Sequence, residues 1–186
     1  MAEEHTEREV KLAYDSPTEA RQAVVAAGAV PLRPRRLQND CLLDRDLKPL
    51  GDRMCTLRFR LDGDLAYFTF KGTPQLGTTK VREELETLVD DGKTLLRILE
   101  RLGFRVWFSY QKYREEFRQG SLVIAVDESP IGTFIELEGN EEDILAMTTN
   151  LGRCQTDFLL DSYLALFRQH CAETGSSAVN MLFDEL

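Results

Sequence analysis

Residues 55–71 read CTLRFRLDGDLAYFTFK, a pattern typical of two antiparallel strands joined by a tight Asp-Gly-Asp turn at 62–64. In the first of these strands, Arg58 and Arg60 alternate with leucine and phenylalanine. Successive side chains of a strand point to opposite faces of the sheet. One face of this hairpin is therefore charged and the other is apolar.

The same alternation recurs along most of the chain. We predict eight strands, at residues 6–13, 36–44, 55–62, 65–71, 79–87, 104–117, 120–127 and 131–139. Seven of them carry charged residues on one face, namely Glu7, Glu9, Lys11, Arg58, Arg60, Lys71, Lys80, Arg82, Glu84, Glu86, Lys112, Arg114, Glu116, Asp127, Glu136 and Glu138. Short turns join consecutive strands, so the sheet should be largely antiparallel.

Four helices are predicted between and after these strands, at residues 17–27, 92–102, 140–150 and 161–171. The first begins with a capping box, in which Ser16 is the cap, Pro17 takes the first helical position and Glu19 completes the box. Helices combined with a majority of antiparallel strands indicate an α+β fold.

Charged residues are mostly exposed, so a solvated face explains any single strand of this kind. Seven such strands in one chain indicate instead a closed barrel, with the charged faces lining a central channel and the apolar faces outward beneath the helices. Like charges crowded in a channel repel by roughly 4 kcal/mol per pair at 4 Å and an effective dielectric of about 20. A polyanion accompanied by divalent cations would balance both signs of charge.

Length and composition narrow the function classes. With 186 residues, of which 42% are hydrophobic, we expect a single domain over 1–186, with its core at about 5–172 and a tail at 173–186. No apolar run is long enough for a membrane span, and the first residues show no secretory leader, so we expect a cytoplasmic protein. The net charge of −9 disfavours a nucleic-acid duplex or an anionic membrane as partner.

The supply of soft metal ligands is poor. Cys41, Cys55, Cys154 and Cys171 form no C-x-x-C pair, and the chain has only two histidines. We therefore expect free thiols in a reducing compartment and no zinc ribbon.

Motifs in a fixed order carry a resemblance to a known family. They are E-x-E-x-K at 7–11, Q-x-D with a further aspartate at 38–44, L-R-x-R at 57–60, T-x-K at 69–71, R-x-E-x-E at 82–86, K-x-R at 112–114, Asp127, and G-x-F-x-E-x-E at 132–138. In this order the chain resembles the CYTH, or triphosphate tunnel metalloenzyme, superfamily from Glu7 to about Phe167. Ser162-Tyr163-Leu164 is similar to the bacterial class IV adenylyl cyclase branch.

This resemblance implies an eight-stranded antiparallel β-barrel with helices packed outside, and it implies Mg²⁺ or Mn²⁺ as cofactor. It assigns metal binding to Glu7, Glu9, Glu136 and Glu138, with Asp127 as a further ligand. It gives Glu84 and Glu86 two alternatives, metal contact or ion pairs with neighbouring basic strands. It assigns phosphate binding to Lys11, Arg58, Arg60, Lys71, Arg82, Lys112 and Arg114. The catalytic set implied is Glu7, Glu9, Lys11, Glu136 and Glu138.

The chain departs from the family at two places. Leu42 replaces the tyrosine of Q-x-D-x-Y-x-D, so we expect this strand to pack rather than to contact substrate. Thr56 stands where vertebrate thiamine triphosphatases have a stacking tryptophan, which disfavours thiamine triphosphate. We predict that the single tryptophan, Trp107, is a packing residue.

Several functions stay open at this point. The first is metal-dependent hydrolysis of inorganic triphosphate or a nucleoside triphosphate. The second is cyclisation of ATP to cyclic AMP and pyrophosphate. Two alternatives are not enzymes: a non-catalytic module that binds polyphosphate or a nucleotide, and a β-rich scaffold with a solvated charged face. The partner we expect is a small-molecule triphosphate, and a homodimer is one alternative for the oligomeric state.

Overall fold

The computed structural model describes residues 6–46 and 49–186. Its strands are β1 (Thr6–Tyr14), β2 (Val30–Asp44), β3 (Thr56–Asp62), β4 (Leu65–Lys71), β5 (Gln75–Leu76), β6 (Lys80–Leu88), β7 (Arg105–Gln119), β8 (Leu122–Ser129) and β9 (Gly132–Glu138). Its helices are α1 (Pro17–Ala26), α2 (Gly92–Arg101), α3 (Glu141–Asn150) and α4 (Tyr163–Thr174), with short 3₁₀ turns at Gly51–Arg53 and Gln155–Asp157.

The strands close into a barrel. Their order is β1-β9-β8-β7-β2-β3-β4-β6, and a further pairing of β1 with β6 closes the ring. Every pairing is antiparallel, and the two-residue β5 only extends the edge of β6. The predicted eight-stranded antiparallel barrel is therefore confirmed.

The predicted division into an apolar outer face and a charged inner face is also observed. Val10 and Leu12 of β1 are fully buried against the outer helices α1 and α3, while Lys11 between them faces inward. Helix α2 covers a second apolar cluster on the outer faces of β3 and β4, which includes Phe59. Burial of these side chains stabilises the fold by roughly 1.5–3 kcal/mol for each one that is fully buried.

Helix α4 lies across one end of the barrel, the end where β2 ends and β7 begins. Its first residue, Tyr163, is buried, and its hydroxyl donates a 2.7 Å hydrogen bond to Asp127 of β8. Phe167 packs on Phe108 of β7 with ring centroids 5.5 Å apart. The start of α4 therefore closes off the barrel interior at this end.

Strand β2 begins six residues earlier than the predicted start at residue 36. The extra segment contains Pro31 and Pro34, which cannot donate to a strand ladder. Its pairing with β7 is accordingly irregular, with register shifts between Pro31 and Arg33 and between Arg33 and Arg36. The predicted strand therefore omits the first part of β2, because bulges accommodate two prolines that normally argue against a strand.

The C-terminal tail, for which the sequence leaves docking and a frayed terminus as alternatives, docks on the barrel. Met181 is fully buried, and its backbone exchanges hydrogen bonds with Ser109 and Gln111 of β7 at 3.0 and 2.9 Å. β8 pairs only with residues 113–119 of β7, so the tail supplies partners for the part that β8 does not reach.

Among the described residues, no helix is long and apolar enough to cross a membrane.

This docking yields a stability prediction. We expect Met181→Ala to lower the free energy of unfolding by about 2–5 kcal/mol, because it leaves a cavity beside Phe108 and Phe167. Urea denaturation measures the change. Val179→Ala, at a position that is 71% exposed, serves as the control and should change stability by less than about 0.5 kcal/mol. Equal unfolding midpoints for the two variants would contradict docking of the tail.

Candidate functional site

The barrel encloses a cavity of about 640 Å³ that is lined mainly by charged side chains. All but one of the predicted site residues line it, namely Glu7, Glu9, Lys11, Arg58, Arg60, Lys71, Arg82, Glu84, Glu86, Lys112, Arg114, Glu136 and Glu138. The exception, Asp127, is completely buried behind Lys112 and Arg114. The structure thus brings the predicted set together, while the role of each member stays a prediction.

Strand register explains this convergence. In the pairing of β1 with β9, Glu9 lies opposite Glu138 and Lys11 lies opposite Glu136. On the other side of β1, Glu7 lies opposite Arg82 of β6. Closure of the barrel therefore places the inward side chains of β1 between those of β6 and β9.

The most buried ion-pair cluster surrounds Asp127. Its carboxylate accepts hydrogen bonds from Lys112 at 2.8 Å, Arg114 at 2.7 Å and Tyr163 at 2.7 Å. Burial, followed by the positive charge of Arg114, lowers the pKa of Lys112 to about 8. Burial opposes ionisation of Glu136, but Arg114 and Lys112 outweigh it and hold the Glu136 pKa well below its usual value.

A second cluster forms where β1 meets β4 and β6. Glu7 accepts hydrogen bonds from Lys71 at 2.9 Å and Arg82 at 3.0 Å. Glu9 accepts a 2.6 Å bond from Lys80 and lies 3.4 Å from Lys11. Burial would raise the pKa of Glu9, but the positive charges around it, led by Lys11, lower it to about 2.

A third cluster corrects the interpretation of β2. Asp40 is buried and accepts a 2.8 Å hydrogen bond from Arg60, with Arg58 at 3.6 Å. Leu42, expected to be a packing residue that faces away from substrate, lines the cavity. The reason is alternation, because Asp40 and Leu42 share the inner face of β2.

Glu138 stands apart from the clusters. Its side chain is open to the cavity and has no ion-pair partner among the described residues. Partial desolvation by the tunnel wall, and then the negative charge of Glu7, raise the pKa of Glu138 to about 7. Like charges directly opposite across a strand pair are destabilising, and Glu9 is opposite Glu138.

The donor set suits a hard divalent cation, because carboxylate oxygens are the ligands that Mg²⁺ and Mn²⁺ prefer. As placed, however, no three acidic, cysteine or histidine side chains of the described chain converge into a metal-binding group. Glu7, Glu9 and Glu136 are engaged by basic partners. Metal binding would therefore need some of these carboxylates to exchange partners.

Three side chains in this site were missing from the predicted set. Lys80 is buried against Glu9, and Asp40 holds two arginines. The ring centroid of Tyr163 lies 4.5 Å from Lys112 Nζ, and the Tyr163 hydroxyl donates a hydrogen bond to Asp127. The alternation with Arg82 predicts Lys80 on the face that lines the channel, although it has no role in the predicted site, whereas the contacts of Tyr163 depend on where α4 docks.

The family profile of the CYTH domain matches residues 5–150, which is most of the chain. The chain belongs to the CYTH domain family. The residues of the match carry the tunnel strands from β1 to β9.

One curated relative and several solved structures are similar to this CYTH domain. A Methanocaldococcus jannaschii protein, provisionally named an adenylate cyclase, is 29% identical over 103 residues, which cover 55% of this chain and 57% of that protein. The match thus spans little more than half the length of that relative.

Two solved structures illustrate the likeness in fold. A provisionally assigned adenylate cyclase from Vibrio parahaemolyticus has a TM-score of 0.76 at 18% identity, over 88% of this chain and 98% of that one. A Hippeastrum protein, described as a provisionally assigned adenylyl cyclase with a dominant triphosphatase activity, has a TM-score of 0.64 at 20% identity, over 88% and 95%. At these identities the likeness concerns the fold.

The Asp127 cluster yields a second stability prediction. Tyr163→Phe removes the hydroxyl that donates a hydrogen bond to the buried Asp127 carboxylate; among the described residues no other hydroxyl does so. We expect this substitution to lower the free energy of unfolding by about 1–3 kcal/mol. Tyr113→Phe is the matched control, since the Tyr113 hydroxyl makes no hydrogen bond within the described chain. Thermal and urea unfolding of both variants test this prediction, which an unchanged Tyr163→Phe protein would contradict.

Proposed function

We propose that this CYTH domain hydrolyses a triphosphate in its tunnel with the help of Mg²⁺ or Mn²⁺. The observation that carries the proposal is the convergence of buried basic side chains from different strands on one cavity. Burying so many charges is costly, and proteins retain them chiefly where they serve a site. A chain of phosphates matches this wall in charge and in extended shape.

The basic residues would hold the phosphate oxygens. Arg58, Arg60, Arg82 and Arg114 offer planar, bidentate donors, and the lysines Lys11, Lys71 and Lys112 offer point charges. Each of these basic groups forms an ion pair with a tunnel carboxylate. Substrate binding then exchanges internal ion pairs for contacts to phosphate.

The carboxylates Glu7, Glu9, Glu136 and Glu138 would hold the cation. Glu138 is the first candidate because it has no basic partner among the described residues and faces Glu9. A bound Mg²⁺ or Mn²⁺ would supply charge neutralisation at the phosphates and a more acidic water. Asp127 is better placed to orient Lys112 and Arg114 than to bind metal, since their hydrogen bonds and that of Tyr163 occupy it.

Phosphoryl transfer needs positioning and charge neutralisation more than covalent chemistry. The charged wall provides both without a side-chain nucleophile, so water is the attacking group in this proposal. The activity described for the Hippeastrum protein supports hydrolysis as the first candidate.

Cyclisation of ATP is the second candidate. The Methanocaldococcus jannaschii and Vibrio parahaemolyticus proteins are provisionally named adenylate cyclases, and the cavity volume of about 640 Å³ lies within the range of roughly 300–1,000 Å³ typical of organic-ligand pockets. Phosphate release from inorganic triphosphate and from ATP, with cyclic AMP measured in the same ATP reactions, separates the two candidates. Cyclic AMP as the main product would contradict hydrolysis.

The assignment of Glu138 yields a catalytic prediction. We expect Glu138→Gln to lower phosphate release from triphosphate by about 100-fold or more, because the amide is a weaker ligand for a hard cation. Glu142→Gln, on the exposed face of α3, is the control and should retain wild-type activity. Circular dichroism and unfolding midpoints verify that both variants fold. Full activity of a folded Glu138→Gln protein would overturn this assignment.

Removal of the metal yields a further prediction. We expect EDTA to abolish turnover and added Mg²⁺ or Mn²⁺ to restore it, since without the cation the unneutralised carboxylates would repel the phosphates and nothing would make the attacking water more acidic. Calcium, which is larger and accepts more ligands, should support less activity. Hydrolysis that persists in EDTA would exclude the metal-dependent mechanism.

A further inference from the structure

Trp107 occupies an unusual position on β7. Leu42 of β2 pairs with Phe108, and the next residue, Leu43, pairs with Val106, so Trp107 is the extra residue of a β-bulge. Simple alternation would point Trp107 outward, because Phe108 and Tyr110 share the inner face with Lys112. The bulge re-aims the indole instead, and Trp107 lines the cavity while 43% exposed. The expectation that Trp107 is a packing residue is therefore wrong.

The cavity wall around Trp107 differs from the rest. At the end of the barrel where β7 begins, the lining includes Leu42, Met54 and Leu164, which are apolar. Asp44 also lies there, but its carboxylate accepts hydrogen bonds from the backbone N–H groups of loop residues, including Leu50 at 2.8 Å. The cavity is thus most densely charged where the β1, β6 and β9 side chains meet, and it is more apolar at this end, where Leu42, Met54, Leu164 and Trp107 line it together with the cationic Arg168.

From this division we infer that Trp107 stacks on the heteroaromatic base of a nucleoside triphosphate whose phosphates occupy the charged part of the tunnel. This inference rests on the proposed function and names its substrate class. An inorganic triphosphate would leave the apolar end of the cavity unused. A nucleotide has one charged end and one flat, largely apolar end, which matches the two halves of the wall.

Arg168 of α4 restricts the kind of ring that could stack on Trp107. Its guanidinium carbon lies 5.9 Å from the Trp107 ring centroid, and it lines the same cavity. A neutral nucleobase with ring nitrogens or a carbonyl can accept hydrogen bonds from Arg168. A permanently cationic ring, such as the thiazolium of thiamine, would be repelled there. The site therefore favours nucleotides over thiamine triphosphate.

Trp107 is the only tryptophan in the chain, so intrinsic fluorescence reports on this position alone. The test uses the full chain with Mg²⁺ and two poorly hydrolysed probes, the β,γ-methylene analogue of ATP and the methylene analogue of triphosphate. We expect the ATP analogue to quench Trp107 and the triphosphate analogue to compete with it for the tunnel without quenching. Equal quenching by both probes would overturn the inference.

Calorimetric titration of variants provides the second readout. Trp107→Ala should weaken binding of the ATP analogue by about 10-fold or more and leave the triphosphate analogue within about 2-fold, since stacking on a base is lost and phosphate contacts are kept. Trp107→Phe should restore most of the affinity. Val106→Ala is the matched control, because Val106 is the neighbouring residue, is 47% exposed and is not part of the lining.

The outcomes separate this inference from the function on which it rests. If the wild-type protein binds both probes, and Trp107→Ala changes neither affinity or weakens both equally, base stacking is overturned while binding of phosphates in the tunnel stands. Failure of the wild-type protein to bind either probe would overturn both. Tighter binding of thiamine triphosphate than of ATP would contradict the role given to Arg168.

Discussion

Neutralisation of charge inside the closed barrel is the constraint on which this structure depends. Closure of β1 on β6 places the carboxylate of Glu7 between Lys71 and Arg82, and without that closure all three would face solvent. Asp127 plays the same part on the opposite wall, where it holds Lys112 and Arg114. Removing one partner of such a buried pair typically costs about 3–5 kcal/mol, because the other charge stays buried. Interior pairing and barrel closure are therefore one cooperative feature.

The same pairing ties stability to function. A buried ion pair contributes little net stability compared with a well-packed apolar pair of similar volume. The many pairs in this tunnel are thus poorly explained as stabilising devices. In the function proposed here they would be exchangeable contacts, in which the phosphate oxygens of the substrate replace the carboxylates as partners of the basic groups. Glu138 has no basic partner among the described residues and lies opposite Glu9, so the pairing of charges in the tunnel is incomplete there.

Much of the fold was predictable from the sequence, because alternation with period two is a local property. The charged faces of β1, β3, β6 and β9 follow directly from that period. The period fails where a bulge inserts a residue, and Trp107 is the instructive example, since strict alternation points it away from the cavity that it lines. Prolines in the first part of β2 concealed a strand for a related reason. Contacts between elements distant in sequence, such as Tyr163 with Asp127, depend on docking geometry that no local pattern encodes.

Helix α4 joins the two halves of the cavity. Tyr163 fixes Asp127 and so orients Lys112 and Arg114 in the charged half. Five residues further along the same helix, Arg168 approaches the indole of Trp107 in the more apolar half. A helix is rigid over this distance, so a displacement of α4 at one half is transmitted to the other. In the mechanism proposed here, recognition of a base and alignment of phosphates would therefore not be independent, because the helix that caps the end of the barrel contributes to both.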